Sequence, residues 1–517
     1  MSVRKSSGTP QKPCTRSMQM YRIDKQISLA EFMSPFGHLD QNNRWVRIAG
    51  MIPWEQYEPE YAKQFSHDTG QPAIKFRMAA ATLIIKQMTG HSDEDVLQDI
   101  LENPYMQYLI GLHEFTTEAP FTSQSITNFR KYVSKELIDK INNDIFRNTH
   151  GGGDSESEQD SNSATDGTPE ASVTHSETHP ENKGSLILDA TCAPANIAYP
   201  TDVNLLNEVR VKLEALIDIL HDQSGNWLKP RTYRMVARKN YLSFVKVKQP
   251  VKKKIRKAIK AQLGYVRRNI GHVDKLLEQV GAEALSEKQL GQLMTIRLLY
   301  VQQLEMYTNK THSVPNRIVS ISQPHVRPIV RGKARAKTEF GAKVSISMVD
   351  GYAFIDRVSF DAYNEEELFQ PAIEEYKERY GHYPEVVMVD RIYRNRKNLA
   401  YCKKWGIRVT GPRLGRPPKV LDKDLIRQTR LDNGARNAVE GKFGEGKIKY
   451  GLDRIKAKLK ETSETVISMI FLCMNISRRL RLLALIFGKV QIFVRFACLT
   501  VDNFIENRKF YFLGVSW

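Results

Sequence analysis

The sequence predicts a mixed α/β domain that contains a helical insertion and is preceded by an all-α N-terminal domain. Two observations carry this prediction. From about residue 40 to residue 148, apolar side chains recur at helical spacing. After residue 184, short apolar runs of strand type alternate with helical segments. At 517 residues, the chain is long enough for two or three domains.

The composition indicates an intracellular protein with a polyanionic partner. Lys and Arg number 77 against 58 Asp and Glu, a formal net charge of +19. Such an excess favours nucleic acid, although a generally basic protein would show it too. The five cysteines form no Cys-x-x-Cys pair, which fits a reducing cytoplasm, and the N-terminus lacks the apolar stretch of a signal peptide. The apolar run 465–477 is shorter than the roughly 20 residues that cross a bilayer, so we expect no membrane partner.

The N-terminal helical domain is predicted over residues 40–149, after a flexible basic arm and lead-in at residues 1–39. Gly90 is expected to end one helix, and Ser92, which acids follow, to cap the next. A later helix, after Pro120, would suit a DNA-reading face through Ser125, Thr127, Asn128, Arg130 and Lys131. An ordinary helical bundle with a polar outer face is the alternative.

A change of composition separates this domain from the next. Residues 150–184 consist largely of Gly, Ser, Thr and acids, and we expect a disordered acidic linker there. A second domain is predicted over residues 185–480, and an apolar C-terminal tail over residues 481–517.

Within residues 185–480 the predicted order is strand, helical insertion, two strands, helix, strand, helix, strand, then helices. This order is compatible with a ribonuclease H-like core, in which the first and fourth strands lie side by side. The second and third strands are expected to turn at Asp350-Gly351. Asp350, Asp356 and Asp361 are expected to be turn and surface acids rather than extra metal ligands.

The insertion, at about 203–312, contains a densely basic stretch with almost no acids. It includes Lys252, Lys253 and Lys254, where we expect contact with phosphate. A solvated helix face is the alternative. Asp202, just before the insertion, is expected to cap its first helix.

Three acids are candidate metal ligands: Asp189 in SLILDAT, Asp390 in EVVMVDRIY and Glu440 in RNAVEGKFGEGK. The first two end apolar runs of strand type, and side chains at the carboxyl ends of strands project into the crevice above a sheet. If the first and fourth strands are neighbours, Asp189 and Asp390 lie together. Carboxylate oxygens are hard ligands for Mg²⁺ or Mn²⁺, and three carboxylates could hold two such ions for phosphoryl transfer.

Glu440 is predicted to lie on a helix. Arg436, Glu440 and Lys447 would then share one face, which offers a carboxylate to metal and two cations to phosphate. Glycines at positions 441, 444 and 446 weaken such a helix or let other backbone approach closely.

These motifs resemble bacterial insertion-sequence transposases of the DDE class, which have an N-terminal helical domain and a ribonuclease H-like catalytic domain. The resemblance covers about residues 40–480. It is carried by LILDATCAPANIAYPTD, EFGAKVSISMVDGYAFIDRVSFDAYNE, EVVMVDRIYRNRKNLAYCKKWGIRVTGPRLGRP and RNAVEGKFGEGKIKYGLDRIKAKL. In the family pattern Tyr-x2-Arg-x3-Glu-x6-Lys, this chain has Asn433 in the tyrosine position. Asp390 is followed by Arg-Ile-Tyr, and we expect Arg391 to add a phosphate contact.

The resemblance implies a DNA transposase that cleaves the ends of its insertion sequence and joins them to target DNA by two-metal phosphoryl transfer. It implies Asp189, Asp390 and Glu440 as catalytic residues and ligands of two Mg²⁺ ions, which Mn²⁺ could replace. The partners would be double-stranded DNA, as terminal inverted repeats and as target, and further copies of the chain in a dimer or larger paired-end complex at the bacterial nucleoid. An inert DNA-binding relative and a metal-dependent nuclease without strand transfer are the alternatives.

Overall fold

The structure is a computed structural model that describes residues 19–20, 35–66, 71–147, 181–225, 228–330, 338–411, 414 and 423–485. The chain divides into two compact units. The first comprises Met1–Thr149 and Asn475–Trp517, and the second comprises His150–Met474. The predicted basic arm, acidic linker and apolar tail lie mostly outside the described residues.

The first unit is helical, as predicted. After a 3-10 turn at Pro35–His38, its helices are α1 (Arg44–Met51), α2 (Trp54–Ala62), α3 (Phe76–Thr89), α4 (Asp93–Glu102), α5 (Pro104–Leu109), α6 (Ser123–Tyr132) and α7 (Lys135–Arg147). Two short strands, β1 (Gln19–Met20) and β2 (Gln71–Pro72), pair in parallel. The predicted helix signals are confirmed: Gly90 ends α3 with a φ of 76°, and Ser92 forms a capping box with Asp95 at the start of α4.

The helical insertion of the second unit consists of α8 (Asp202–Ser224), α9 (Arg234–Val245), α10 (Lys252–Val280) and α11 (Glu287–Asn309). Leucine, isoleucine and valine side chains of α8, α10 and α11 form its core. Thr201 caps α8, so the expectation that Asp202 does so is wrong. The carboxylate of Asp202 instead accepts hydrogen bonds from Arg317 (2.7 Å) and Gln303 (3.0 Å), which anchor the start of the insertion.

A six-stranded mixed sheet forms the base of the second unit. Its strands are β3 (Ser185–Pro194), β4 (Arg327–Val330), β5 (Thr338–Val349), β6 (Tyr352–Ser359), β7 (Val386–Met388) and β8 (Arg408–Val409). The order is β4-β5-β3-β7-β8, with β6 paired to β5. β5 runs antiparallel to β3, β4 and β6, whereas β3, β7 and β8 are mutually parallel. The predicted fold class and the adjacency of the first and fourth predicted strands are confirmed; the short β4, which contains a proline, was not predicted.

Helices and 3-10 turns follow the strands. They are the turn Glu365–Leu368, α12 (Phe369–Tyr380), the turn Arg391–Tyr393, α13 (Arg396–Lys404), α14 (Lys423–Lys449) and α15, described over residues 460–485, of which 460–474 belong to the second unit. One buried core joins Leu186 and Leu188 of β3, Val387 of β7, and Phe369 and Ile373 of α12. Among the described residues, no helix is long and apolar enough to cross a membrane.

The hairpin of β5 and β6 turns at Asp350 (φ 49°) and Gly351 (φ 78°), as predicted. Asp361 is exposed, as expected. Asp356 differs from the expectation of a surface acid, because it is partly buried on β6 and accepts a hydrogen bond from the Ser347 hydroxyl at 2.5 Å. Burial raises the pKa of Asp356 to about 7, against the opposing effect of that hydrogen bond.

The raised pKa of Asp356 predicts a pH-dependent stability. In the unfolded chain this carboxyl ionises near pH 4, whereas in the folded protein it stays protonated until about pH 7. The wild-type protein therefore loses free energy of unfolding, relative to Asp356→Asn, as the pH rises from about 4 to about 7. We expect a change of about 4 kcal/mol, about 1.4 kcal/mol for each pH unit between the two pKa values, that levels off above that range. Denaturant unfolding at pH 4, 5.5, 7 and 8 measures it; the exposed-acid control Asp361→Asn should change by less than about 0.5 kcal/mol.

Candidate active site

Asp189 lies in the middle of β3 rather than at the end of a strand, so that part of the prediction is wrong. The strand continues because its pairing with β5 extends from Ile187 to Pro194. Its parallel partner β7 stops at Met388. Asp189 thus lies just beyond the point where β7 ends. The crevice expected at the carboxyl end of a strand is therefore at the end of β7, beside Asp189.

Asp390 follows β7 by two residues and begins the 3-10 turn Arg391–Tyr393. β3 and β7 pair with Ser185 opposite Val386 and Ile187 opposite Met388. If the same register is extended by two residues beyond Ile187 and Met388, Asp189 is opposite Asp390. The two carboxylates interact electrostatically, and Asp390 contributes to the raised pKa of Asp189. The chain therefore brings together two of the three predicted acids.

The surroundings of Asp189 oppose its negative charge. Burial raises its pKa, and the nearby carboxylates of Glu365 and Asp390 raise it further. The amide of Ala190, which donates to Asp189 Oδ1 at 2.8 Å, and the guanidinium of Arg436 act in the opposite direction. A cation placed between the acids would relieve this repulsion, which is the electrostatic condition of a metal site.

The third predicted acid lies on α14, so the predicted helix is present despite its glycines. Gly446 permits a close approach, because a Cβ there would lie 3.1 Å from Leu452 and from Met474. Arg436 Nη1 is 4.0 Å from Asp390 Oδ1. Glu440, one turn further on, is exposed, and Lys447 is partly buried. Asn433, in the position of the family tyrosine, is exposed.

A divalent cation fits Asp189 and Asp390, because both supply hard oxygen donors in a region of excess negative charge. Across the described ranges, no group of three or more His, Cys, Asp and Glu side chains is close enough to hold an ion. Glu440 therefore does not form a group with the other two acids.

Arg408 on β8 forms a two-pronged ion pair with Asp432 on α14 (2.7 and 3.2 Å), which attaches this helix to the sheet.

Sequence reasoning missed Glu365, which adds negative charge beside Asp189. One of its oxygens lies 2.9 Å from Lys343 Nζ, and the other accepts a hydrogen bond from the Tyr393 hydroxyl at 3.3 Å. The local signal, an Asn followed by three acids, indicates only the start of a helix. Its partners lie on other elements, so no spacing rule could have singled it out.

The predicted phosphate-binding residues have varied surroundings. Arg391 is exposed in the turn after Asp390, and its amide donates to Asp390 Oδ1 at 2.7 Å. In the N-terminal unit, Lys131 is exposed, whereas the guanidinium of Arg130 is hydrogen-bonded to Asp93. Arg130 therefore has a structural partner that its sequence position did not reveal.

An exposed face of α6 is formed by Gln124, Thr127, Asn128 and Lys131.

A basic stripe runs along the first half of α10. Lys252, Lys253 and Lys254 are exposed at the start of this helix. The stripe continues along the helix through Arg256, Lys257, Lys260 and Arg267, which are also exposed. Arg256 lies 4.1 Å over the ring of Tyr307 and donates to its carbonyl, so part of the stripe is fixed in place.

Arg436 occupies the region that a divalent cation would enter, so its removal should strengthen cation binding. Replacing Arg436 with Gln removes a positive charge 4.0 Å from Asp390. We expect the Mn²⁺ affinity of the free protein to rise about fivefold, which corresponds to about 1 kcal/mol of relieved repulsion. Titration of Mn²⁺ followed by electron paramagnetic resonance measures it. Arg427→Gln, an exposed arginine of the same helix, is the matched control, and equal gains in both variants would contradict the local effect.

Two family models match the chain. One, described as a transposase DDE domain, matches residues 387–477, a segment that includes Asp390 and Glu440. The other, described as a transposase domain (DUF772), matches residues 34–132 in the helical N-terminal unit. Asp189 lies outside both segments.

A curated relative gives a weaker match. The chain is 27% identical over 160 residues to an uncharacterized protein, ORF8 in the nfe locus of Rhizobium meliloti. The match covers 31% of this chain and 66% of that protein, so the chain spans just under two thirds of the relative's length. No solved structure matches the chain.

Proposed function

We propose, from the premise that this chain carries a DDE-type transposase domain, that it is a DNA transposase that cuts the ends of an insertion sequence and joins them to target DNA. The observation that supports the proposal is that Asp189 on β3 and Asp390 after the parallel β7 interact electrostatically, with Arg436 4.0 Å from Asp390. Phosphoryl transfer needs this combination of carboxylates for metal and a cation for phosphate.

Each polar residue of the site has a proposed role. Asp189, Asp390 and Glu440 would hold two Mg²⁺ ions, or Mn²⁺ in their place. Bound divalent cations would supply the charge that activates a water molecule and stabilises a leaving 3′ oxygen. Arg436 and Lys447 neutralise phosphate charge near the scissile bond, and exposed Arg391 adds a phosphate contact. The attachment of α14 to β8 through Asp432 and Arg408 orients the helix that presents Arg436 and Glu440.

The remaining DNA contacts are proposed for two surfaces. The basic stripe of α10, with Lys252, Lys253 and Lys254, would follow the phosphate backbone without reading sequence. In the N-terminal unit, the exposed face of α6 carries amide, hydroxyl and ammonium groups that suit base edges in a major groove. Lys131 belongs to that face, whereas Arg130 would reach DNA only by leaving Asp93.

The proposed organisation follows these roles. Residues 40–149 form a DNA-binding domain and residues 185–480 the catalytic domain. Two DNA ends must be held together for joining, so at least two copies of the chain act in a paired-end complex at the nucleoid. The principal competing function is a metal-dependent nuclease, since the same acids would cleave DNA without strand transfer.

Replacing Asp390 with Asn should lower DNA cleavage by at least about a thousandfold, because the carboxylate that holds metal is lost while its shape is kept. The assay combines purified protein, Mg²⁺, a labelled duplex from the end of its insertion sequence and a supercoiled plasmid target. Cleaved ends and plasmid-joined products should form with the unmodified protein. Asp453→Ala, an exposed acid after α14, is the control and should retain activity.

The outcomes of this assay separate the alternatives. Full activity of Asp390→Asn would contradict the assigned site. Cleavage without joined products would favour the nuclease, and DNA binding without cleavage would favour an inert relative.

Replacing Lys252, Lys253 and Lys254 with Gln should weaken DNA binding mainly at low salt. Each lost phosphate contact reduces the slope of log affinity against log salt concentration by about 0.9, so we expect a reduction of about 2 to 3. Fluorescence anisotropy with a labelled duplex at several salt concentrations measures the slope. The control replaces Lys275, Lys288 and Lys403, which are exposed outside the stripe. Equal slopes for the two triple variants would show that only net charge matters.

A further inference from the structure

The carboxylate of Asp390 is weakly held by its own contacts. Its side chain is 62% exposed and lies 4.0 Å from Arg436. It accepts a hydrogen bond from the amide of Arg391, which belongs to the same turn. In the described part of the chain, no hydrogen bond from the adjacent strands reaches it. The position of this carboxylate must therefore depend on how the turn itself is held.

Tyr393 closes that turn and is almost completely buried. Its amide donates to the carbonyl of Asp390 at 3.2 Å, and its ring packs against Phe369 of α12. Its hydroxyl donates to Glu365 Oε2 at 3.3 Å. A phenol keeps its proton at neutral pH, so this hydroxyl is a donor to the glutamate.

Glu365 connects this hydroxyl to the sheet. Its Oε1 lies 2.9 Å from Lys343 Nζ, and both side chains are less than a fifth exposed. Lys343 belongs to β5, opposite Cys192 of β3, and its ammonium also donates to the carbonyl of Tyr363 at 2.9 Å. A continuous set of polar contacts thus runs from β5 through Glu365 to the turn that carries Asp390.

Two asparagines support the same connection. Asn398 donates to the carbonyls of Tyr393 (3.0 Å) and Glu366 (3.3 Å). Asn395 donates to the carboxylate of Glu366 at 3.2 Å. The turns Glu365–Leu368 and Arg391–Tyr393 are therefore joined at several points. Of these contacts, the Tyr393–Glu365 bond involves the carboxylate that interacts electrostatically with Asp189.

We propose that Tyr393, Glu365 and Lys343 form a clamp that holds the turn after β7, so that Asp390 stands beside Asp189 in the geometry that binds a divalent cation. The three are positioning residues, since they act through Asp390. The clamp rests on the proposed function to the extent that Asp390 is a metal ligand. Residues other than the three acids would thus orient a metal ligand, which explains why an ion-paired glutamate lies beside an acidic site.

The test measures Mn²⁺ binding to the full-length protein by electron paramagnetic resonance, with and without terminal DNA. The variants are Tyr393→Phe, Glu365→Gln and the double variant. Tyr393→Phe removes one hydroxyl and should weaken Mn²⁺ binding about tenfold, the size of effect usual for a group that orients a ligand. Because Glu365→Gln breaks the Lys343 ion pair of the same clamp, the double variant should lose less than the product of the two single losses.

A matched control separates positioning from general stability. Tyr401 of α13 also donates its hydroxyl to a glutamate, Glu374, in the same unit. Tyr401→Phe should leave Mn²⁺ affinity unchanged, even if it lowers the unfolding temperature as much as Tyr393→Phe does. In DNA cleavage, Tyr393→Phe should raise the half-saturating Mg²⁺ concentration about tenfold, while the rate at saturating Mg²⁺ and the DNA affinity stay near those of the unmodified protein.

The outcomes distinguish the clamp from the proposed function. Unchanged Mn²⁺ affinity in a folded Tyr393→Phe protein overturns the clamp, whether or not the unmodified protein cleaves DNA. Weakened Mn²⁺ binding in a protein that cleaves no DNA upholds the clamp and contradicts the catalytic proposal. If Tyr393→Phe does not fold, unchanged affinity in Glu365→Gln overturns the clamp by itself.

Discussion

The candidate site depends on the parallel pairing of β3 with β7. Two acids that lie far apart in the chain become neighbours because Ser185 pairs with Val386 and Ile187 with Met388. The pairing comprises few residues, and the apolar core of β3, β7 and α12 stabilises it. The ion pair of Arg408 and Asp432 then joins α14 to the next strand of the same sheet. Every proposed catalytic group is therefore positioned, directly or through one intermediate, by this part of the sheet.

The candidate site concentrates negative charge around Asp189. Asp189 is partly buried beside two further carboxylates, and all of these features raise its pKa. Arg436 offsets part of the repulsion from one side. The arrangement is typical of functional sites, where local electrostatic strain persists because the surrounding core holds the groups in place.

Much of the fold could be predicted from local sequence. Gly90 and Ser92 mark helix ends through backbone and capping chemistry that involves only nearby residues, and Asp350-Gly351 marks a hairpin in the same way. The resemblance to DDE transposases agrees with the two matched family models. The pairing of the strands before Asp189 and Asp390 could be predicted, because the element order is compatible with a ribonuclease H-like core, in which the first and fourth strands are neighbours.

The errors arose where the outcome depended on contacts between distant residues. Asp189 was expected at a strand end, but β5 prolongs β3 beyond it. Thr201 caps α8, whereas Asp202 accepts a hydrogen bond from the distant Arg317. Glu365 was not predicted as a site residue, because its partners Lys343 and Tyr393 lie on other elements. The separation of Glu440 from the other two acids depends on how α14 packs against the sheet, which helical periodicity does not specify.

The helical insertion lies between two strands that pair directly, β3 and β5, and this shows where the chain tolerates added length. A bundle that extends from Asp202 to Asn309 leaves their register intact, because it enters and leaves through loops. One residue added within β7 would instead turn Asp390 to the opposite face of the sheet and away from Asp189. Added length between β3 and β5 is therefore compatible with this fold, whereas the three residues of β7 admit substitution but no change in number.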